Sequence, residues 1–235
     1  MEKHRRVMLK LSGEALAGAQ HTGFSEETVR KVADEVKSAY DRGVEIAIVI
    51  GGGNFWRGRS NQAFDRVKAD QIGMLATVMN CIYVSEIFRG AGMKTKLFGA
   101  FEIPGILPVF DKDAVMDAMA EGNVVFFAGG TGHPYFSTDS GIALRAIEIG
   151  ADSILLAKAV DGVYDSDPAK NPGARRFERL SITEVVERKL QVIDMTASIL
   201  CMENHMPLLV FSLNDPGAIT KALSGEAIGT VVTAE

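Results

Sequence analysis

Cysteine, histidine and tryptophan are scarce in this chain of 235 residues, which contains two, four and one of them. The two cysteines, Cys81 and Cys201, lie far apart in apolar, helix-like surroundings, so we expect neither a disulfide framework nor a cysteine-built metal cage. The histidines lack the spacing of metal ligands. We therefore expect no metal site that the protein builds alone.

Long apolar runs and basic clusters are also missing. No apolar stretch approaches the roughly 18 residues that a membrane span needs, and the basic N-terminal segment leads directly into a strand pattern instead of a signal peptide's apolar core. The net charge of −5, with scattered Lys and Arg, argues against nucleic acid as a partner. We expect a cytoplasmic globular protein that binds neither membranes nor nucleic acid.

Several common catalytic motifs are absent as well. The sequence contains no GxxxxGK[ST] loop and no His-Arg-Asp and Asp-Phe-Gly pair, so it indicates neither a P-loop enzyme nor a protein-kinase fold. It has no GxGxxG after a strand and no GxSxG. These absences argue against a nicotinamide enzyme and against an α/β-hydrolase.

Strand-like apolar runs recur along the chain, and most are separated by helical patterns. This alternation predicts an α/β fold in which helices cover both faces of a parallel sheet. The length suits one domain, although two lobes sharing one sheet are also compatible with it. The predicted strands are Val7–Leu11, Val44–Ile50, Lys94–Phe98, Asn123–Phe127, Ser153–Ala157 and Leu208–Phe211.

Three helix starts can be identified from their residues. Ser25 precedes a helical pattern that ends near Gly43. Ser181 followed by Glu184 forms a capping box. The Asp215-Pro216 pair predicts a cap followed by a first-turn proline.

Glycine-bearing loops follow four of the predicted strands, with the sequences KLSGEA, GGGNFWRG, GGTGHPYFSTD and AVDGVYDSDP. Glycine lets backbone N–H groups approach phosphate oxygens closely. A glycine cluster such as 51–53 can simply turn the chain, but Asn54 and Arg57 follow it, and an arginine beside such a turn favours an anion site. The loops predict a phosphate ligand, or two phosphate-bearing molecules.

Two charged residues stand at the ends of predicted strands. Lys10 is either a solvated strand end or an ammonium group that neutralises phosphate charge during transfer. Asp139 either caps the helix Ser140–Ile149 or organises cations, and the two roles are compatible. The segment Asp165–Phe177 is a surface excursion or a lid, and we favour a loop that faces the ligand because it follows a strand.

Five motifs together closely resemble the bacterial UMP kinase branch of the amino-acid kinase family. The match runs in order from about residue 6 to residue 232, nearly the whole chain. GGGN with a downstream VDGVYxxDP is specific to the family, and MLATVMN with GTGxPYFSTD narrows it to the branch. The motifs are KLSGEAL (10–16), IGGGNFWRG (50–58), MLATVMN (74–80), AGGTGHPYFSTD (128–139) and VDGVYDSDP (160–168).

The resemblance implies a three-layer α/β/α sandwich with an eight-stranded, mainly parallel sheet, as one domain over residues 1–235. It implies in-line transfer of the ATP γ-phosphoryl group to UMP with Mg²⁺, in pyrimidine nucleotide biosynthesis. The half to about residue 150 would bind UMP and the remainder ATP. The resemblance also implies a homohexamer, with GTP as an activator and UTP as an inhibitor.

The resemblance assigns roles to individual residues. It implies that Lys10, Arg57 and Asp139 are catalytic. The residues implied to bind ATP are Lys10, Leu11, Ser12, Gly13, Gly53, Arg57, Lys158, Tyr164 and Asp167. The residues implied to bind UMP are Gly52, Asp70, Thr131, Gly132, His133, Pro134, Tyr135, Phe136, Ser137 and Thr138.

His133 departs from the family pattern, which usually has Asn there. A neutral imidazole offers one donor and one acceptor in a ring geometry unlike that of an amide. Two alternatives remain open at this point. The chain could be a family enzyme that acts on a carboxylate, carbamate or isopentenyl phosphate, or a non-catalytic protein that binds nucleotides or stores oxyanions.

Overall fold

A computed structural model describes residues 4–56, 64–190 and 192–234. Over these residues the chain forms eight strands and eight α-helices. The strands are β1 Arg6–Leu11, β2 Glu45–Ile50, β3 Lys94–Gly99, β4 Asn123–Ala128, β5 Ser153–Lys158, β6 Arg179–Ser181, β7 Leu208–Ser212 and β8 Thr230–Thr233. The helices are α1 Gly13–Leu16, α2 Glu26–Tyr40, α3 Arg66–Gly90, α4 Lys112–Ala120, α5 Thr138–Glu148, α6 Ile182–Glu187, α7 Met195–Glu203 and α8 Ala218–Leu223.

All of these strands join one sheet in the order β3-β4-β2-β1-β5-β7-β8-β6. Neighbouring strands from β3 to β7 are parallel, and β8 runs antiparallel to β7. β6 pairs in parallel with β8. The expected mainly parallel, eight-stranded sheet is confirmed, and each of the six strands predicted from apolar runs is present with its ends shifted by no more than one residue.

Helices cover both faces of the sheet and form two apolar cores. The core beneath α2, α3 and α8 takes Val7, Leu9 and Leu11 from β1, and the core beneath α4 to α7 takes Met8. Because strand side chains alternate between faces, Lys10 shares the face of Met8. Lys10 therefore points toward the α5 side at the carboxyl end of β1.

Two of the predicted helix starts are confirmed. Ser25 caps α2 by accepting a backbone hydrogen bond, and Ser181 forms the capping box with Glu184. The cap of α5 is different from our prediction: the Ser137 hydroxyl caps this helix and accepts the N–H of Asp139 at 3.0 Å. Asp139 lies in the first turn instead, where its charge still favours the helix N-terminus.

The cap predicted at Asp215 is wrong. Helix α8 begins after Gly217, whose φ of 75° is left-handed and which provides no side-chain cap. The carboxylate of Glu35 from α2 accepts the N–H groups of Gly217 at 3.0 Å and Ile219 at 2.9 Å. A cap supplied by a different helix leaves no signal in the local sequence. The prediction therefore fell on Asp215, the acid closest to the helix start.

Helix α3 also differs from expectation, because it has the length and apolar composition of a membrane-crossing helix, with 44% of the apolar window buried in the fold. One side of it packs on the sheet through residues such as Val84 and Phe88. The opposite side carries exposed apolar side chains, including Leu75 and Met79. Apolar residues on both sides explain why its composition resembles that of a membrane span.

Replacing Glu35 with Ala should lower the free energy of unfolding by about 1–3 kcal/mol, because it removes the acceptor of the first N–H groups of α8. The measurement is chemical denaturation of the purified protein. Glu27→Ala, on the exposed face of the same helix, is the control and should leave the unfolding midpoint unchanged. Equal stability losses in the two variants would contradict the capping role.

Candidate active site

The loops that leave the carboxyl ends of β1, β2 and β4 meet around a cavity of about 290 Å³. Parallel strands place such loops at one edge, where open α/β sheets bind ligands. Predicted site residues from all three loops, and one from α3, line this cavity. They are Lys10, Ser12, Gly13, Gly52, Gly53, Asp70, Thr131, Phe136, Ser137 and Thr138.

Close packing requires glycine at two positions, one where two of these loops meet and one where a loop packs on α3. A Cβ on Gly13 would lie 2.2 Å from the carbonyl oxygen of Gly51, and a Cβ on Gly52 would lie 2.8 Å from that of Gly73. The loops after β1 and β2 are therefore in direct contact. This contact places the predicted ATP-binding glycine beside the predicted acceptor-binding loop.

Lys10, which lines this cavity, forms an ion pair with Asp139 of α5. Each side chain is about one-fifth exposed or less, so the pair is shielded but still reachable. A lysine held in such a place can stabilise negative charge that develops on a phosphoryl group. The structure therefore brings together the two described residues that we predicted to be catalytic, while Arg57 lies outside the described residues.

Lys158 lies near this pair, at the end of β5. Its ammonium group donates a hydrogen bond to the carbonyl oxygen of Val192. Burial, which is the largest cause, and the positive charge of Lys10 together lower the pKa of Lys158 to about 8, and the carboxylate of Asp139 partly offsets both effects. Phosphate oxygens entering the site would favour the charged form of this lysine.

Asp194, just before α7, is a site residue that our sequence reasoning missed. Its carboxylate accepts the hydroxyl of Ser137 and, at 3.2 Å, that of Ser140, and it caps α7 through the N–H of Ala197. Because Ser137 in turn caps the helix that carries Asp139, Asp194 holds that helix start in place. The local sequence shows Asp194 directly before an apolar helix pattern. That pattern predicts a helix cap but gives no indication of a place in the site.

The loop 131–138 is fastened to α3 through Asp70. The carboxylate of Asp70 accepts the N–H of Tyr135 at 2.8 Å and the Nε of Arg66 at 2.8 Å. The guanidinium carbon of Arg66 lies 5.2 Å from the centre of the Tyr135 ring, in cation–π range. Tyr135 has a φ of 72°, which is rare for a non-glycine residue.

Not every residue predicted for this loop faces the cavity. Thr131 accepts the N–H of His133 at 3.2 Å, and the side chains of His133 and Tyr135 are exposed. The cavity lining includes Trp56 and Arg66, which we had not predicted. Leu11, Gly132, His133, Pro134 and Tyr135 lie outside this lining and outside the two neighbouring cavities described below.

Two further cavities extend the site on the other side of Asp139. One of about 480 Å³ is lined by Asp139, Lys158 and Asp194, and another of about 460 Å³ is lined by Tyr164 and Asp167. They share Lys189 and Leu190, which makes them neighbours. Three of the residues predicted to bind ATP, Lys158, Tyr164 and Asp167, therefore lie along one groove, whereas Lys10, Ser12, Gly13 and Gly53 line the first cavity.

Tyr164 is held in this groove by an acid. Its hydroxyl donates to Asp161 at 2.7 Å, and Arg176 pairs with the same carboxylate. The hydrogen bond from Tyr164, together with the charge of Arg176, lowers the pKa of Asp161. The segment Asp165–Phe177, expected to face a ligand, contributes Asp165 to Pro168 and Lys170 to the lining.

Neither cysteine takes part in this chemistry. Both Cys81 and Cys201 are buried and carry free thiols. Burial raises the pKa of each thiol to about 12, so both remain protonated. Within the described ranges, no group of three or more His, Cys, Asp or Glu side chains is arranged to hold a metal ion.

Taken together, the loops can hold two anionic ligands on either side of Lys10 and Asp139. The amino acid kinase family model matches residues 5–212 of the chain. The chain therefore belongs to the amino acid kinase family, which confirms the resemblance found in its motifs.

Solved structures similar to the chain point to one branch of that family. The UMP kinase of Bacillus anthracis is 33% identical with a TM-score of 0.95, and the match covers 100% of this chain and 98% of that chain. The UMP kinase of Ureaplasma parvum is 33% identical with a TM-score of 0.91, covering 99% and 100%. The uridylate kinase of Archaeoglobus fulgidus is 28% identical with a TM-score of 0.74, covering 99% and 100%.

Two substitutions near Lys158 should shift its pKa in opposite directions. Lys10→Met should raise the pKa of Lys158 above about 8 because it removes a positive neighbour, and Asp139→Asn should lower it because it removes a negative one. The pKa is measured from the pH dependence of acetylation at Lys158, followed by mass spectrometry. Acetylation of the exposed Lys68 serves as the internal control, and shifts of equal sign in the two variants would contradict the arrangement.

Proposed function

We propose that this chain transfers the γ-phosphoryl group of ATP to UMP, giving UDP and ADP. The observation that carries the proposal is the position of the Lys10–Asp139 pair between the cavity lined by Asp70 and the groove lined by Tyr164. The relatives named as UMP kinases match this chain from end to end, which supports the same reaction here.

UMP fits the cavity beside α3. The carboxylate of Asp70 suits the two ribose hydroxyls, and the N–H and hydroxyl groups of the loop 131–138 suit the polar edge of uracil. Gly52 lines this cavity and would lie beside the UMP phosphate. A carbamate, a carboxylate or isopentenyl phosphate has neither ribose nor base, and would leave these polar groups unpaired.

ATP fits the opposite groove. The aromatic ring of Tyr164 and the carboxylate of Asp167 suit a base and a diol, respectively. The phosphates would then extend toward Ser12 and Gly13, within reach of Lys10 and Lys158. We propose that the half of the chain after about residue 150 supplies the adenosine contacts, and the half before it the UMP contacts.

The transfer itself needs no covalent intermediate. An oxygen of the UMP phosphate, already ionised near neutral pH, forms a bond to the γ-phosphorus, and the bond to the bridging oxygen of ADP breaks with its electron pair. Lys10 stabilises the charge on the transferring group, and Asp139 holds Lys10 in place. Catalysis then depends on alignment and electrostatics.

Magnesium enters this proposal together with ATP. Mg²⁺ in such sites is held mainly by substrate phosphates and water, with one or two carboxylates. Asp139 provides a carboxylate at the carboxyl edge of the sheet and would help to hold the ion. The ion would neutralise phosphate charge when bound. Activation by GTP, inhibition by UTP, a role in pyrimidine nucleotide biosynthesis and a cytoplasmic location remain predictions from the sequence.

The exposed face of α3 supports the proposed self-association. We define the α3 stripe as Ile72, Leu75, Met79 and Ile82, which are between 37% and 51% exposed and recur at helical spacing. Nearby, Ile106 is 58% exposed. Exposed apolar patches of this kind mark protein interfaces. We propose that the α3 stripe packs against a second copy of the chain in a homohexamer.

The reaction is tested by measuring ADP formation from Mg-ATP with UMP, CMP, AMP, carbamate and isopentenyl phosphate in separate assays, each with a control lacking acceptor. We expect turnover with UMP to exceed that with every other compound. Faster reaction with carbamate or isopentenyl phosphate would favour another family activity. ATP binding without any acceptor-dependent turnover would favour the non-catalytic reading.

Lys10→Ala should lower kcat by about 10²–10³, because it removes one preorganised charge from the transferring group. The protein should remain folded, as judged by circular dichroism and thermal melting. The kinetics are measured at saturating Mg-ATP and UMP. A kcat equal to that of the wild type would contradict the role of Lys10.

Placing charges on the α3 stripe should disrupt the assembly. The double substitution Leu75→Glu and Met79→Glu should yield smaller oligomers than the wild type, because like charges would meet across the contact. Mass is measured by analytical ultracentrifugation, with Lys68→Glu on an exposed part of the same helix as the control. A double variant with the wild-type mass would exclude the stripe as an interface.

A further inference from the structure

Two buried asparagines lie behind the loops that follow β1 and β2, which we propose to hold the phosphates. Asn54 follows the glycine cluster after β2, Asn80 is in the middle of α3, and their side chains are 2% and 0% exposed. Each amide donates to the other: Asn54 Nδ2 to Asn80 Oδ1 at 2.9 Å, and Asn80 Nδ2 to Asn54 Oδ1 at 2.8 Å. They form a reciprocal amide pair that the substrates cannot contact.

The remaining amide hydrogens fix the orientation of both groups. Asn54 Nδ2 also donates to the carbonyl oxygen of Gly23 at 2.8 Å, and Asn80 Nδ2 donates to that of Gly51 at 2.7 Å. A flip of either amide would place an amide oxygen against a carbonyl oxygen. The pair therefore has one satisfied arrangement, and each donor is used.

The pair joins the two loops that must be aligned. Besides the carbonyl contact already described at Gly51, a Cβ on Gly13 would lie 2.6 Å from Asn54 Oδ1 and 3.1 Å from Asn80 Nδ2. The N–H of Gly51 also donates to the carbonyl oxygen of Leu11 at 3.1 Å. The loop after β1, the loop after β2 and helix α3 thus pack on one amide pair.

Helix α3 extends the same connection to the third loop. One turn before Asn80, the hydroxyl of Thr77 accepts the N–H of Gly129, at the start of the loop after β4, at 2.8 Å. Farther along the helix, Asp70 accepts the N–H of Tyr135 in that loop. One rigid helix therefore sets the positions of all three loops around the transfer site.

We propose that the Asn54–Asn80 pair is a positioning device, which sets the distance between the loop that holds the ATP phosphates and the loop that holds the UMP phosphate. This inference rests on the proposed function, since it concerns the alignment of those two ligands. The pair acts through the loops and touches neither ligand. A misplacement of about 1 Å between reacting groups can cost about 100-fold in rate, so the pair should affect kcat more than binding.

The test compares Asn54→Ala, Asn80→Ala and the double variant with the wild type. Each single substitution should lower kcat by about 10- to 100-fold while the KM values for ATP and UMP change by less than about threefold. UMP binding is checked independently by the fluorescence of Trp56, the single tryptophan of the chain, which lines the cavity. The double variant should lose no more than the worse single variant, because the two amides act as one unit.

Asn123→Ala is the matched control. Its amide donates to the carbonyl oxygen of Ala118 at 2.8 Å, at the amino end of β4 and away from the site. This variant should lower the melting temperature and leave kcat unchanged. If the Asn54 and Asn80 variants behave in the same way, or if their effects on kcat multiply in the double variant, the positioning role is overturned.

Asn80→Asp provides a second test that retains the side-chain volume. Its ionised carboxylate would oppose the carbonyl oxygen of Gly51, whereas the protonated form can donate again. Activity relative to the wild type should therefore rise as the pH falls, and a pH profile parallel to that of the wild type would overturn the proposal. A wild-type enzyme inactive toward UMP would instead refute the proposed function, which keeps the two failures distinct.

Discussion

The parallel direction of the central strands is the constraint on which the site depends. Because β1, β2, β4 and β5 run the same way, their carboxyl ends meet at one edge, and loops far apart in sequence converge there. Lys10 from β1 meets Asp139 of α5 at this edge. One edge then accommodates the cavity that we propose for the acceptor and the groove that we propose for the donor, with charged side chains between them.

The positive charges at this edge are only partly compensated by Asp139. Burial disfavours the charged form of Lys158, the positive charge of Lys10 adds to this effect, and Asp139 partly offsets both. Two phosphate groups would supply the missing negative charge. The site is therefore better suited to phosphate-bearing ligands than to neutral ones, which agrees with the chain's membership of a kinase family.

Features encoded in local sequence were predicted well, and features made by distant contacts were not. Apolar runs placed the central strands, and glycine motifs placed Gly13 and Gly52 at the cavity. Asp194 and the Asn54–Asn80 pair escaped notice, because their hydrogen bonds join segments that only the fold brings together. The cap of α8 was mispredicted for the same reason, since its carboxylate belongs to α2. Motif resemblance supplied roles that periodicity cannot provide.

The central claim is that both nucleotides are bound at once and react directly. The stereochemistry of transfer from ATP labelled with oxygen isotopes at a chiral γ-thiophosphate tests it most directly. A single in-line displacement predicts inversion at phosphorus in the UDP product. Retention would reveal an even number of displacements through a phosphorylated protein group, and would contradict this account of the site.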